Sequence, residues 1–91
     1  RASATRVAKW LLDKGRRADA VNLLSAWAAA GPNDENGQAL LAEALRIEPG
    51  APVAKMAFER MEGIGGAHDV LEAAMRQFGP EELSRLEGEM K

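Results

Sequence analysis

The chain has no cysteine and no tyrosine, one histidine, and two residues each of tryptophan and phenylalanine. Without cysteine there is no disulfide, thiol nucleophile or cysteine-ligated zinc, and the redox compartment is left open. His68 has no second histidine with which to share a metal. With only Ser3, Ser25, Ser84 and Thr5 as hydroxyls, there is little from which to assemble a nucleophile and its base, so no catalytic residues and no enzyme are expected. β-Branched residues are few and no stretch alternates cleanly, which excludes a strand-rich fold. No apolar run approaches the roughly 18 residues needed to cross a bilayer, and the charged N-terminus lacks the apolar region and cleavage pattern of a signal peptide. A cytoplasmic protein, cut from a longer chain because it opens on Arg1, is the expectation.

What is there describes one globular domain. Of 91 residues, 46% are hydrophobic and 29% charged, which fits a single self-sufficient core. Eighteen alanines, and eight arginines against four lysines, match the composition of a GC-rich bacterial gene. The formal charge of −2 hides an asymmetry: residues 1–17 carry a net +5 and the remainder a net −7. Such polarity steers partners or orients head-to-tail self-association. Arg6, Lys9, Lys14, Arg16 and Arg17, with Trp10 interleaved, make a basic end that could touch phosphates. The pI near 5.4 and the lack of an aromatic platform or recognition-helix signature argue against nucleic acid as the partner.

Helical spacing runs through the whole chain. Ser3 caps a first helix to about Lys14, with Val7, Ala8, Leu11 and Leu12 apolar, and Gly15 ends it. A second helix, from about Arg17 to Ala30, presents Ala20, Val21, Leu24 and Trp27, and Gly31-Pro32 stops it. Asn33 or Asp34 caps a third to about Ile47, with Leu40, Leu41, Ala44, Leu45 and Ile47 apolar. Pro52 opens a fourth that carries Val53, Met56, Ala57, Phe58 and Met61, and Ile64 of the following Gly-Ile-Gly-Gly run is expected to tuck back against it. The fifth, about Ala67 to Phe78, presents Val70, Leu71, Ala74, Met75 and Phe78. Beyond Gly79-Pro80, Leu83, Leu86 and Met90 stripe a short sixth helix.

Other chemistry is thin. Glu59 with Glu62, and Asp69 with Glu72, are each three apart on one helix face, but no histidine follows at ligand spacing. The Gly-Ile-Gly-Gly run has no preceding strand and no Lys-Ser/Thr, so it is no phosphate loop. No cofactor and no metal are expected. His68 reads as a helix-entry residue, with Asp69 complementing the helix dipole. Methionines 56, 61, 75 and 90 read as adaptable core filler, and Trp27 as core. Trp10, at the edge of the first apolar stripe beside Arg6 and Lys9, is a candidate binding anchor if exposed.

A shift of 34 residues brings Val7 onto Leu41, Ala8 onto Ala42, Leu11 onto Leu45, Ala20 onto Ala54, Leu24 onto Phe58 and Trp27 onto Met61. Small falls on small and large on large through two helices, as expected where small residues let helices approach and large ones fill between them. Ala8 and Leu11 in a first helix, Gly15 in the turn, Ala20 and Leu24 in a second helix and a closing Pro32 resemble the tetratricopeptide repeat. The likeness covers residues 1–34 well and about 35–65 partly, with Pro49-Gly50 in the second turn. Residues 66–91 read as divergent capping helices.

The resemblance implies an all-α fold of about six helices, stacked as antiparallel hairpins in a short solenoid. It also implies an adaptor that holds a partner protein or peptide in a groove lined by the first helices of successive units. By matching register, that groove takes Arg6, Lys9 and Asp13 from the first unit and Asn36, Leu40, Glu43 and Ile47 from the second. Leu40 stands where one subgroup has the asparagine of a carboxylate clamp, so that clamp is not reproduced. Self-association, which would pair the basic end with the acidic remainder, and a regulatory cap on a neighbouring domain are the alternatives.

Overall fold

A computed structural model describes residues 3–30, 37–64 and 68–90. Over these residues the chain forms six helices and no strand: α1 (Ser3–Asp13), α2 (Arg17–Ala30), α3 (Gly37–Ile47), α4 (Pro52–Met61), α5 (Asp69–Gln77) and α6 (Pro80–Met90). The all-helical class and the number of helices agree with the sequence reading. The expected cap at Asn33 or Asp34 and the Gly31-Pro32 stop lie outside the described residues.

Glycine shapes two of the helix ends. Gly15 and Gly63 take φ of 78° and 74°, the left-handed region that glycine enters with least strain. At the end of α1, the Gly15 N–H donates to the Leu12 carbonyl at 3.0 Å and the Arg16 N–H to the Leu11 carbonyl at 2.8 Å. Gly63 and Ile64 repeat the pattern onto Arg60 and Glu59, at 3.1 and 2.7 Å. This paired closure satisfies carbonyls that a helix end leaves free. The turn returns the Ile64 backbone to α4 but leaves its side chain 56% exposed, so the expected tuck of that side chain does not occur.

Between α3 and α4, the Ala51 N–H reaches the Glu48 carbonyl at 3.1 Å. The resulting four-residue turn carries Pro49 at its second position, where the fixed φ of proline fits. Pro52 then opens α4 at a position that needs no N–H.

The core is organised around α2. Eight of its fourteen residues are buried, among them Ala20, Leu23, Leu24, Ser25, Ala28 and Ala29, and they surround the axis. A helix apolar on all sides belongs in the middle of a domain, and α2 packs against α1, α3, α4 and α5. Its alanines let those neighbours come close. The sixth helix packs on α1, so the acidic C-terminal helix lies beside the basic N-terminal one. Helices α1 and α3 each pack on α2 or its partners and meet one another at most marginally.

The outer helices are two-faced. In α1 the buried residues are Ala4, Val7, Ala8 and Leu11, and in α3 they are Gly37, Leu40, Leu41 and Ala44. The two stripes coincide at a shift of 33, and the same shift carries Ala20, Val21 and Leu24 onto the buried Val53, Ala54 and Ala57. The 34-residue register therefore needs correction. Ala8, Ala20 and Ala54 are buried as it requires, but Ala42 is exposed. One residue of offset turns a helical position by about 100°, enough to move it from core to solvent.

Leu45, Phe58 and Val70 also depart from the expected core, at 37%, 45% and 49% exposure. Each adjoins a buried neighbour (Ala44, Ala57 and Leu71), and adjacent helix positions point about 100° apart, so one of a pair can face solvent while the other faces the core. In α3 and α4 the alanine of the pair faces the interior and the larger residue faces out.

Candidate functional site

The residues expected to line a groove between the first helices divide into three groups. Arg6, Lys9 and Asp13 are exposed on α1, opposite the Ala4–Val7–Ala8–Leu11 stripe. Trp10 is half-buried, packed against the core from its edge, with the Lys14 ammonium 5.7 Å from its ring centroid. That contact is a cation–π interaction. On α3, Glu43 is half-buried and paired with Arg46. The hydrogen bond from Arg46 holds the Glu43 carboxyl below the usual carboxylate range, and the Lys9 charge adds to the effect. Lys9 acts on Glu43 only as a charge, with no hydrogen bond or ion pair between them among the described residues.

The remaining expected residues do not join them. Leu40 is 7% exposed, because it shares the buried stripe of α3, and so it is a core residue rather than a groove surface. Ile47 is half-buried, and its carbonyl accepts a 2.8 Å hydrogen bond from Arg17 Nη2. Asn36 lies outside the described residues.

An apolar concavity lies elsewhere. Helix α5 has nine residues and α2 fourteen, lengths of about 14 Å and 21 Å. The Trp27 indole N–H donates to the Phe78 carbonyl at 2.7 Å, which fixes the end of α5 at the C-terminal half of α2. Val70, at the start of α5, reaches the same surface as Val21 and Asn22, so the two helices run parallel and α5 stops short of the start of α2. The uncovered stretch is a cleft of about 500 Å³. Its floor is Ala18, Val21 and Asn22 of α2; its walls are Gly50, Ala51, Pro52 and Val53 on one side and Val70 on another. Arg17 and Glu48 stand on the rim, with Arg17 Nη2 3.1 Å from Glu48 Oε1. A second cavity of about 140 Å³ lies between Trp27, Met75 and Phe78 and is a packing gap under the α5–α6 junction.

The histidine and one member of each carboxylate pair lie at the contact between α4 and α5. His68 precedes α5, and its Nε2 is 3.0 Å from Glu59 Oε1 on α4. Arg60 pairs with Glu72 and reaches Met75 Sδ at 3.5 Å. The Arg60–Glu72 pair thus ties α4 to α5, whereas His68 Nε2 makes no hydrogen bond among the described residues despite its closeness to Glu59. Among the described residues no group of three histidine or acidic side chains could hold a metal ion, and no helix is long and apolar enough to cross a membrane.

Arg17, Ala18, Asn22 and Val70 were not anticipated as site residues. The one signal for them in the sequence is the mismatch between a long second helix and a short fifth one, together with the small Gly50-Ala51 pair that keeps the wall low. Comparisons with protein families, curated proteins and solved structures gave no match.

Proposed function

We propose that the chain is a protein-interaction module whose docking site is the cleft between the start of α2, the α3–α4 turn and Val70. The supporting observation is the cleft itself: about 500 Å³ of space walled by valine, alanine and proline, with Val70 49% exposed inside it. Apolar concavities with a few polar groups at the edge are where ligands and partner side chains bind. The tetratricopeptide likeness belongs to the same reading. In it, α1–α2 and α3–α4 are two uses of one hairpin, related by 33 residues, and the adaptor role follows by resemblance. The partner surface moves from the α1–α3 face to the cleft, because Leu40 is withdrawn into the core.

The test is a pull-down with the whole chain, beside Val70→Asp in the cleft and Arg6→Glu/Lys9→Glu on the basic face. Loss of the same partners with Val70→Asp and their retention with the double variant is the expected result. The opposite pattern transfers the site to α1.

A second copy of the chain is the competing partner, favoured by the exposure of Phe58, Ile64 and Val70. Head-to-tail pairing of opposite charges supports it less, since α6 already lies against α1 and the Arg16 charge acts on Glu82 within one chain. Sedimentation velocity at rising concentration separates the two, because a module for other proteins stays monomeric.

A further inference from the structure

We propose that the cleft binds an extended peptide segment carrying an aliphatic side chain next to a carboxylate, the aliphatic group against Val70 and the carboxylate at Arg17. This rests on the reading of the cleft as a docking site and names the chemistry of what docks there. Three features of the cleft define that ligand.

The first is shape and polarity. Val70 is 49% exposed, while Val21, Val53 and Ala51 behind it are almost completely buried. None offers a side-chain hydrogen bond, so the group they shield from water must lack polar atoms, as an aliphatic side chain does. Ala18 and Gly50 keep the edges low enough for a backbone to lie across them.

The second is Asn22. Its side chain lines the cleft yet takes part in none of the side-chain hydrogen bonds among the described residues. A carboxamide offers one acceptor and two donors, the complement of a peptide unit. A bound extended segment presents such units free; a bound helix has spent them internally. This favours an extended partner.

The third is charge. The side chain of Arg17 is 64% exposed. Among the described residues only its Nη2 is engaged, with the Ile47 carbonyl and Glu48, so Nε–H and Nη1–H remain free, each able to donate a single charge-assisted hydrogen bond to an incoming carboxylate. The first turn of α4, which forms the wall at Pro52 and Val53, has no acidic residue and no side-chain cap at Ala51. Its dipole therefore adds to the attraction for an anion. Glu48 opposes it, and that opposition gives a diagnostic: removing the Glu48 charge should tighten binding while removing the Arg17 charge weakens it.

The experiment is a ¹H–¹⁵N titration of the whole chain with three short capped peptides, containing Leu-Asp, Leu-Asn or Ser-Asp at the centre. Saturable shifts are expected at Val21, Asn22, Val53 and Val70. The Leu-Asp peptide should bind about threefold more tightly than Leu-Asn, the size of one exposed charge contact, and at least about tenfold more tightly than Ser-Asp. Arg17→Gln should erase the preference for Asp over Asn, Glu48→Gln should enlarge it, and Asn22→Ala should weaken both leucine peptides alike. All three positions are solvent-accessible, so the variants keep the fold, and each spectrum reports it.

Equal affinity for Leu-Asp and Leu-Asn, an undiminished preference in Arg17→Gln, shifts located away from the cleft, or no saturable shift overturns the proposal. A protein partner that Val70→Asp releases, together with indifference to all three peptides, overturns the ligand chemistry alone and leaves the docking site standing.

Discussion

The indole N–H of Trp27 donates to the main-chain carbonyl of Phe78 at 2.7 Å, joining the central helix to the residue that closes α5. Phe78 is the C-cap of α5, with φ −110° and ψ 45°, and its side chain is buried. The contact sets how far α5 extends along α2, and so how much of α2 is left open as the cleft. Trp27→Phe keeps most of the apolar surface and removes the donor. It is expected to lower stability by about 1–3 kcal/mol, the cost of leaving a shielded acceptor unpaired. A fall in the urea midpoint with an unchanged slope is the measurement. A loss below about 0.5 kcal/mol would mean that water replaces the indole at the carbonyl.

The corrected repeat register makes a sharp comparison within one helix. Ala44 is fully buried and Ala42 is exposed. Ala44→Leu forces extra volume into the contact between α3 and α2 and should cost about 1–3 kcal/mol. Ala42→Leu lies in solvent and should stay within about 0.5 kcal/mol of the parent. The 34-residue register expects the larger penalty at Ala42, so thermal melts of the two variants choose between the registers.

The helices were legible because their signals are local. Gly15 and Gly63 stop helices by a conformation that neighbours do not influence, and Pro52 and Pro80 start them for the same kind of reason. The buried stripes of α1 and α6 also follow from spacing alone. Which residue of an adjacent apolar pair faces inward was not legible, as Ala44–Leu45 and Ala57–Phe58 show. That choice depends on how closely α2 allows a neighbour to approach, a property of the assembled core. The site was less legible still. Lys9 is exposed and Glu43 half-buried on their helices, but Leu40, placed by analogy of register, lies inside. The cleft arises from the unequal lengths of α2 and α5 once they lie parallel, and no short stretch of sequence encodes that relation.

Ser25 carries a prediction of opposite sign. It is completely buried in α2, and its hydroxyl has no hydrogen-bond partner among the described residues. Ser25→Ala removes an unpaired polar atom and installs a better helix former, so stability should rise by about 1 kcal/mol. Calorimetry reads this directly. A loss of stability would show that the hydroxyl bonds the carbonyl one turn back, as buried helical serines can.

The influence of Arg46 and Lys9 on Glu43 can be read through pH. The Arg46 hydrogen bond lowers the Glu43 pKa, with help from the charges of Arg46 and Lys9, and an Arg85 hydrogen bond lowers that of Glu82. A carboxyl whose pKa is lower folded than unfolded binds fewer protons in the folded state. The stability it contributes is therefore present above the ordinary glutamate pKa and lost as pH falls through the lowered folded value. Both groups are close to solvent, so the stability effect is small, and the titration itself is the better observable. In a carboxyl-detected NMR titration, Glu43 and Glu82 should both titrate below the ordinary glutamate value. Arg46→Gln should move the Glu43 midpoint up, Lys9→Gln should move it up by less, and neither should alter Glu82. A Glu43 midpoint indifferent to Lys9→Gln would mean that the Lys9 charge is screened from Glu43 by solvent. It would also remove the last link between the α1–α3 face and partner binding, leaving the cleft beside Val70 to account for any docking on its own.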